Sequence, residues 1–244
     1  LKGLGATACA SVAELGARSE VIISMLLNIA QTKDVLFGAN GLIAAVRPGA
    51  KLVIGSTIGP GPMMEIAEAF KGKDVAVIDA AMAGGHPRAE LGTLTLMVGA
   101  DPAVLDDVMP VLRAVGNNII RAGGVGTGQM AKIANNLVLG INIIALLEGL
   151  ALGVAAGIEP ETLKEIFRKS SAGSYPLQVW DELGPRWKGM LASRSSGAEI
   201  PLSKDLRLAQ EFAKDLGISL VLGSQACAIW NGEIATDYKD DQRA

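Results

Sequence analysis

The chain has 244 residues, half of them hydrophobic, with 22 basic and 25 acidic side chains and a formal net charge of −3. That length holds one large or two modest domains, and the hydrophobic half supplies a sizeable core. A small negative balance with both signs scattered excludes nucleic acid as a partner, because neutralising phosphates takes a basic surface.

In chain order, Ser11 with Glu14 three residues later predicts a capping box opening a short helix. Glu20–Leu27 is a continuous apolar run with β-branched residues, the pattern of a buried parallel strand. A weak helix follows on either side of Gly38–Gly41. Lys51–Gly55 predicts a second strand, Met63–Lys71 a helix and Val75–Asp79 a third strand. Thr93–Gly99, Pro102–Val115 and Asn118–Arg121 predict strand, helix and strand. Strands alternating with helices mean an α/β domain with a mostly parallel sheet. Beyond Gly123-Gly124 the pattern turns wholly helical: one long helix, then Glu159–Lys169, a helix around Leu177–Leu183, Leu202–Leu216 and Leu220–Ile234. The expected division is therefore 1–124 and 125–244. The polar tail ATDYKDDQRA is expected to be loosely held.

The long helix starts in GTGQMAKIANN and stays apolar to Gly157. Its length suggests a membrane span, but Glu148 sits in mid-run and the flanks lack basic anchors, so no membrane is expected. A helix apolar nearly all round should be buried on most sides, between domains or subunits, with Gly140, Gly149, Gly153 and Gly157 allowing close packing. Lys132 and Asn136 are four apart and share a face, with Gly140 next and room beside it. Two readings stay open: an ammonium and an amide converging on a polar ligand, or a snorkelling surface lysine above an interior asparagine.

Ligands of open α/β sheets bind outside the carboxyl ends of the strands. Met25, Leu26, Leu27 and Asn28 end the first strand. Ser56 and Thr57 end the second, where their hydroxyls either bond a cofactor or cap the next helix. Asp79 leads to Ala83, Gly84 and Gly85, then to Gly92, Thr93 and Leu94; paired glycines after a strand present backbone N–H groups without obstruction. His86, the one histidine, would be the base of any serine triad, yet no nucleophile elbow surrounds a serine. Cys9 and Cys227 fit neither a disulfide framework nor a metal cluster, so no metal is expected and a reducing cytoplasm is the default.

These motifs together resemble the β-hydroxyacid dehydrogenase family, which includes 3-hydroxyisobutyrate dehydrogenase, tartronate semialdehyde reductase and the more distant 6-phosphogluconate dehydrogenase. The substrate loop of the family looks like Asp79 to Leu94, and its Gly-x-Gly-x-x-x-Lys-x-x-Asn-Asn pattern matches Gly126, Gly128, Lys132, Asn135 and Asn136. Lys204-Asp205 and Ser56-Thr57 with Pro60 match in order. The resemblance implies a partial Rossmann domain followed by an all-α domain. It implies NAD or NADP as cofactor and a small hydroxy acid interconverted with its aldehyde or keto form. Lys132 would be the general acid/base, its neutral form favoured by a cation such as Lys204, and Asn136 would orient the substrate oxygen. Ala83, Gly84, Gly85 and Thr93 would bind the substrate; Met25, Leu26, Ser56, Thr57 and Lys204 would border the cofactor. A homodimer or homotetramer through the helical domain is expected.

Two departures bear on this. Ala83 stands where the family usually has serine, leaving carboxylate binding to the Gly84 and Gly85 amides, Thr93 and whatever His86 or Arg88 adds. The Gly-x-Gly-x-x-Gly turn that opens the family's fold is not found before Glu20, so a fragment lacking the first βαβ unit is expected. The rival readings are an imine reductase-like enzyme, disfavoured by a lysine at position 132, and a non-catalytic dimerising scaffold.

Overall fold

The computed structural model describes residues 2–192 and 200–234 and divides into two compact units, Leu1–Lys132 and Ile133–Ala244. The polar tail lies outside the described residues.

In the first unit, the N-terminal helix α1 (Val12–Arg18) begins as the capping pattern requires: Ser11 Oγ accepts from Glu14 N, while the Glu14 carboxylate reaches back to Ala10 N. Then come β1 (Val21–Ser24), α2 (Ile29–Phe37), α3 (Leu42–Ala45), β2 (Lys51–Ile54), α4 (Pro60–Lys71), β3 (Ala76–Ala83), α5 (Gly85–Glu90), β4 (Leu94–Gly99), α6 (Pro102–Arg113) and β5 (Gly116–Gly123). The strands lie in chain order across one sheet, and every neighbouring pair is parallel except β3 with β4. Residues 84–93 explain the exception: a parallel crossover takes a dozen or more residues, and this connection is shorter. Side chains alternate faces. Leu52 and Ile54 join Leu36, Ile66 and Phe70 in one core layer, whereas Val53 joins Ile78, Leu96, Leu105 and Leu112 in the other. Helices therefore cover both faces, as buried parallel strands demand.

Several element limits differ from expectation. β1 stops at Ser24, because Met25 and Leu27 face out at the strand end (56% and 76% exposed) and leave the ladder. β3 runs four residues past Asp79 because the antiparallel β4 keeps pairing it through Ala83. β5 begins at Gly116 for the same reason, its ladder with β4 being longer than its apolar core. The glycine-rich segment after β3, expected as a loop, holds α5, with Pro87 in its first turn.

The helix α7 (Thr127–Ala155) crosses the division between the units. The second unit continues with α8 (Pro160–Lys169), α9 (Tyr175–Gln178), α10 (Trp180–Ala192), α11 (Pro201–Asp215) and α12 (Val221–Trp230). Its core joins Ile143, Leu147 and Leu150 of α7 to Leu163, Trp180, Leu206 and Trp230. Gly140 and Gly153 do permit close packing, with Leu206 and Leu163 crowding the places of their missing side chains, whereas Phe167 would make only ordinary contact with a side chain at Gly149. Gly157 has no such role. Its φ of 88° closes the helix in a left-handed turn, with Ile158 N donating to Gly153 O at 3.1 Å. Within the single chain α7 is covered on one face, and the burial expected of it between subunits concerns contacts outside this chain. Only 33% of its most apolar 18-residue window is buried, and Val138 and Leu152 remain 56% and 75% exposed, because the core of the second unit takes one face. By length and composition alone α7 is sufficient to cross a membrane.

Candidate active site

In the first unit, the carboxyl ends of β1 and β2 are tied by Ser56. Its buried hydroxyl accepts from Leu26 N at 2.7 Å. This replaces the helix-cap reading, since α4 is preceded by Gly59 (φ 87°) and has no side-chain cap. Met25 lies across Gly55, where a Cβ would fall 2.1 Å from its sulfur and 3.0 Å from Met82 Cε. Met25 is thereby brought beside the end of β3, and Thr57 is half-buried. Met25, Ser56 and Thr57 thus stand together at the carboxyl ends of two parallel strands, where open α/β sheets bind ligands.

At the end of β3, Gly84 and Gly85 have φ values of 131° and 67°, the left-handed region that only glycine enters cheaply. A side chain at Gly84 would also strike Arg88, 2.7 Å from its Cδ. The α5 helix that starts here has no side-chain cap, so its first amides remain for a ligand or water. Ala83 is half-buried and offers no hydroxyl. Thr93 N and Oγ1 both turn to Arg88 O, at 2.9 and 3.4 Å, and close the segment. His86 is exposed on α5 and pairs with Glu90 at 3.7 Å.

The turn into α7 shows why its two glycines are needed. Gly126 has a φ of 94°. Gly128 must lack a side chain because a Cβ would lie 2.4 Å from Met97 O and 2.8 Å from Asp79 Oδ2. Asp79 is fully buried, and its carboxylate accepts from Gln129 N and Gln129 Nε2, both at 2.8 Å, with the Gly126 and Gly128 amides beside it. Burial pushes the Asp79 carboxyl above its usual range, and the Gln129 and glycine N–H groups only partly offset that. Gln129 Nε2 also donates to Ser56 O, and Gln129 Oε1 accepts from Ile58 N and Gly59 N at 2.8 and 3.1 Å. Gln129 was not singled out from the sequence, and Asp79 only as the start of a motif. The available signal was a lone aspartate ending an apolar strand. Lys132 is half-buried one turn further along.

In the second unit, Asn136 is buried and held at both ends. Its Nδ2 donates to Asp205 Oδ2 at 2.5 Å, and its Oδ1 accepts from Asn135 Nδ2 at 3.0 Å. Lys204 Nζ lies 3.3 Å from Asp205 Oδ1, in the first turn of α11. Asp205 thus joins Asn136 to Lys204. The lysine is mostly covered, not facing water, and the room expected beside Gly140 is filled by Leu206, whose methyls lie 3.1 and 3.2 Å from a Cβ placed there. Among the described residues no group of three or more metal-ligating side chains comes together.

Residues 1–124 match the family described as the NAD binding domain of 6-phosphogluconate dehydrogenase, and residues 126–244 that described as the NAD-binding domain of NADP-dependent 3-hydroxyisobutyrate dehydrogenase. A probable mitochondrial 3-hydroxyisobutyrate dehydrogenase of Dictyostelium discoideum is 39% identical, over 93% of this chain and 71% of that protein. An NAD-dependent L-serine dehydrogenase of Pseudomonas aeruginosa is 37% identical, over 98% and 82%. The solved structure of Mycobacterium tuberculosis 3-hydroxyisobutyrate dehydrogenase with L-serine superposes with a TM-score of 0.78 at 26% identity, covering 95% of this chain and 79% of that one. Two consecutive domain matches and identities above 30% across nearly the whole chain place this protein in the β-hydroxyacid dehydrogenase family of NAD(P)-dependent oxidoreductases.

Proposed function

We propose that the protein oxidises a small primary alcohol carrying a carboxylate on the β-carbon, giving the corresponding semialdehyde, with Lys132 as general base. The observation that carries this reading is the run from Thr127 to Asn136, which forms one uninterrupted helical start bearing Lys132 and a buried, doubly anchored Asn136 one turn apart. The relatives support the substrate class: 3-hydroxyisobutyrate and L-serine are both alcohols β to a carboxylate.

The bound nicotinamide supplies the hydride acceptor. The residues of this chain do the rest. Lys132 Nζ, as the neutral amine, takes the hydroxyl proton while the carbinol hydride leaves; in the reverse direction it returns that proton to the carbonyl oxygen. Asn136 retains one amide hydrogen beyond its bond to Asp205, and that N–H orients the same oxygen. The Gly84 and Gly85 amides receive the carboxylate in place of the missing hydroxyl at Ala83, with Thr93 beside them. Met25, Leu26, Ser56 and Thr57 border the cofactor; in the second unit Asp205 holds Lys204, which the family resemblance also assigns to the cofactor. The apolar, exposed face of α7 supports assembly as a homodimer or homotetramer through the helical unit.

The test is turnover by the full-length enzyme on a panel of short 2- and 3-hydroxy acids, followed by nicotinamide absorbance, beside Lys132→Ala. Activity confined to 3-hydroxy acids and reduced about 10²–10⁴-fold in the variant, with cofactor binding retained, is expected for a lost general base. A variant as active as wild type would remove Lys132 from the reaction.

A further inference from the structure

We infer that the buried Asp79–Gln129 pair is a positioning device for Lys132, fixing the first turn of α7 against the ends of β2 and β3. This rests on Lys132 being the general base proposed above.

A carboxylate at zero exposure costs free energy unless it is fully hydrogen-bonded. Asp79 meets that demand with both oxygens engaged at the helix start: Oδ2 accepts from Gln129 N, a group that a helix start leaves unpaired, and Oδ1 from the Gln129 side chain, with the Gly126 and Gly128 amides beside them. The strand thus supplies a cap for the helix start. Gln129 then extends the network to the β2–α4 connection, through Ser56 O, Ile58 N and Gly59 N. One side chain therefore sets the helix start relative to two strand ends and to Ser56 and Thr57, the segment assigned to the cofactor.

A well-packed apolar pair would serve stability at least as well, because buried ionic and polar groups seldom add net free energy over hydrophobic ones. What the polar pair adds is direction. Each hydrogen bond fixes distance and angle, where apolar contacts tolerate sliding. Lys132 follows Gln129 by three residues, a rise of about 4.5 Å, so play at the tether passes almost undiminished to the lysine. Gly128 and Gly99 belong to the same device, each lacking the Cβ that would push the Asp79 carboxylate away.

The experiment uses the full-length enzyme with Gln129→Met, which keeps volume and loses every side-chain hydrogen bond, and Gln129→Glu, which keeps the acceptor toward Ile58 and Gly59. Both are assayed at saturating substrate and cofactor, well below their melting temperatures, alone and combined with Lys132→Ala. Cofactor affinity is read by nicotinamide fluorescence. Positioning predicts a kcat loss of about 10- to 100-fold with cofactor Kd changed less than about threefold. It also predicts that adding either substitution to Lys132→Ala costs less than about threefold more, since groups acting as a unit are not additive. Wild-type kcat in either variant, the same loss repeated in the Lys132→Ala background, or failure of both variants to fold would each assign the pair to stability and overturn the inference. Wild-type turnover by Lys132→Ala alone would overturn the reading of Lys132 and this inference together, whereas loss in Lys132→Ala with none in the Gln129 variants would overturn only the positioning role.

Discussion

Replacing Gly128 by alanine tests the geometry of the α7 entry most sharply. The added Cβ would stand 2.4 Å from Met97 O, 2.8 Å from Asp79 Oδ2 and 2.9 Å from Asp79 Cγ. Comfortable contacts for such a carbon begin near ~3.5 Å, so the helix start must retreat by about 1 Å. Neither obstacle can swing aside: one is a ladder carbonyl of β4, the other a carboxylate whose acceptors are already engaged. Overpacking of this kind costs about 1–3 kcal/mol, and stretching the charged hydrogen bonds from Gln129 costs a comparable amount. Alanine returns at most about 1 kcal/mol of helix propensity, so the clash wins and the net loss is about 2–4 kcal/mol. In a chain of this size that lowers Tm by about 4–16 °C. If Lys132 is the general base proposed above, a displacement near 1 Å at it lowers kcat by about 10²-fold. Urea denaturation and initial rates on the full-length enzyme read both effects. Gly124→Ala is the control, since nothing lies within 4 Å of its added carbon. A Gly128→Ala enzyme matching that control in stability and turnover would refute the account of the Gly-x-Gly entry.

The remaining predictions concern other parts of the molecule. The Asp79 carboxyl is raised above its ordinary value, so the folded state holds this proton to higher pH than the unfolded chain. Its contribution is therefore fully present below the unfolded pKa and is lost as pH rises through the folded one. The stability of wild type minus that of Asp79→Asn should accordingly fall with rising pH across that window, and a flat or rising difference in denaturation midpoints would contradict the burial argument. Gly84→Ala forces a side chain into a φ of 131° against Arg88, a strain of about 1–3 kcal/mol, and should raise KM for the hydroxy acid more than it lowers kcat. An unchanged KM would take the Gly84 amide out of carboxylate binding. Trp230 is 1% exposed and donates Nε1–H to Gly140 O at 3.2 Å. Trp230→Phe should cost about 1–2 kcal/mol and Trp230→Ala about 3–5 kcal/mol in urea denaturation; equal losses would mean that ring packing is not what holds α12 to α7.

Much of this was legible in the linear chain because it depends on near neighbours. Among the described residues, apolar runs and periodicity marked the five strands and most long helices, though α10 (Trp180–Ala192) extends nine residues beyond the helix expected around Leu177–Leu183, and Ser11 with Glu14 marked a helix start that the structure forms through those side chains. The positive φ values at Gly84, Gly85 and Gly126 agree with glycine being placed there, and Lys132 and Asn136 fall one turn apart because helical spacing is local. The antiparallel β3–β4 pair was also within reach, since residues 84–93 are too few for a crossover helix.

What the tertiary structure alone decided lies between residues far apart in the chain. Ser56 gives its oxygen to Leu26, 30 residues away, and not to the start of the next helix. Leu206 fills the gap beside Gly140, and Asp205 links Asn136 to Lys204. Asp79 finds Gln129 across 50 residues. Periodicity records which face of an element is apolar but not what will cover it, and within the single chain α7 keeps an exposed apolar face. A hydrogen bond between distant strands and helices leaves no spacing in the sequence to read. Its partners are selected only when packing removes water and each buried donor must find an acceptor.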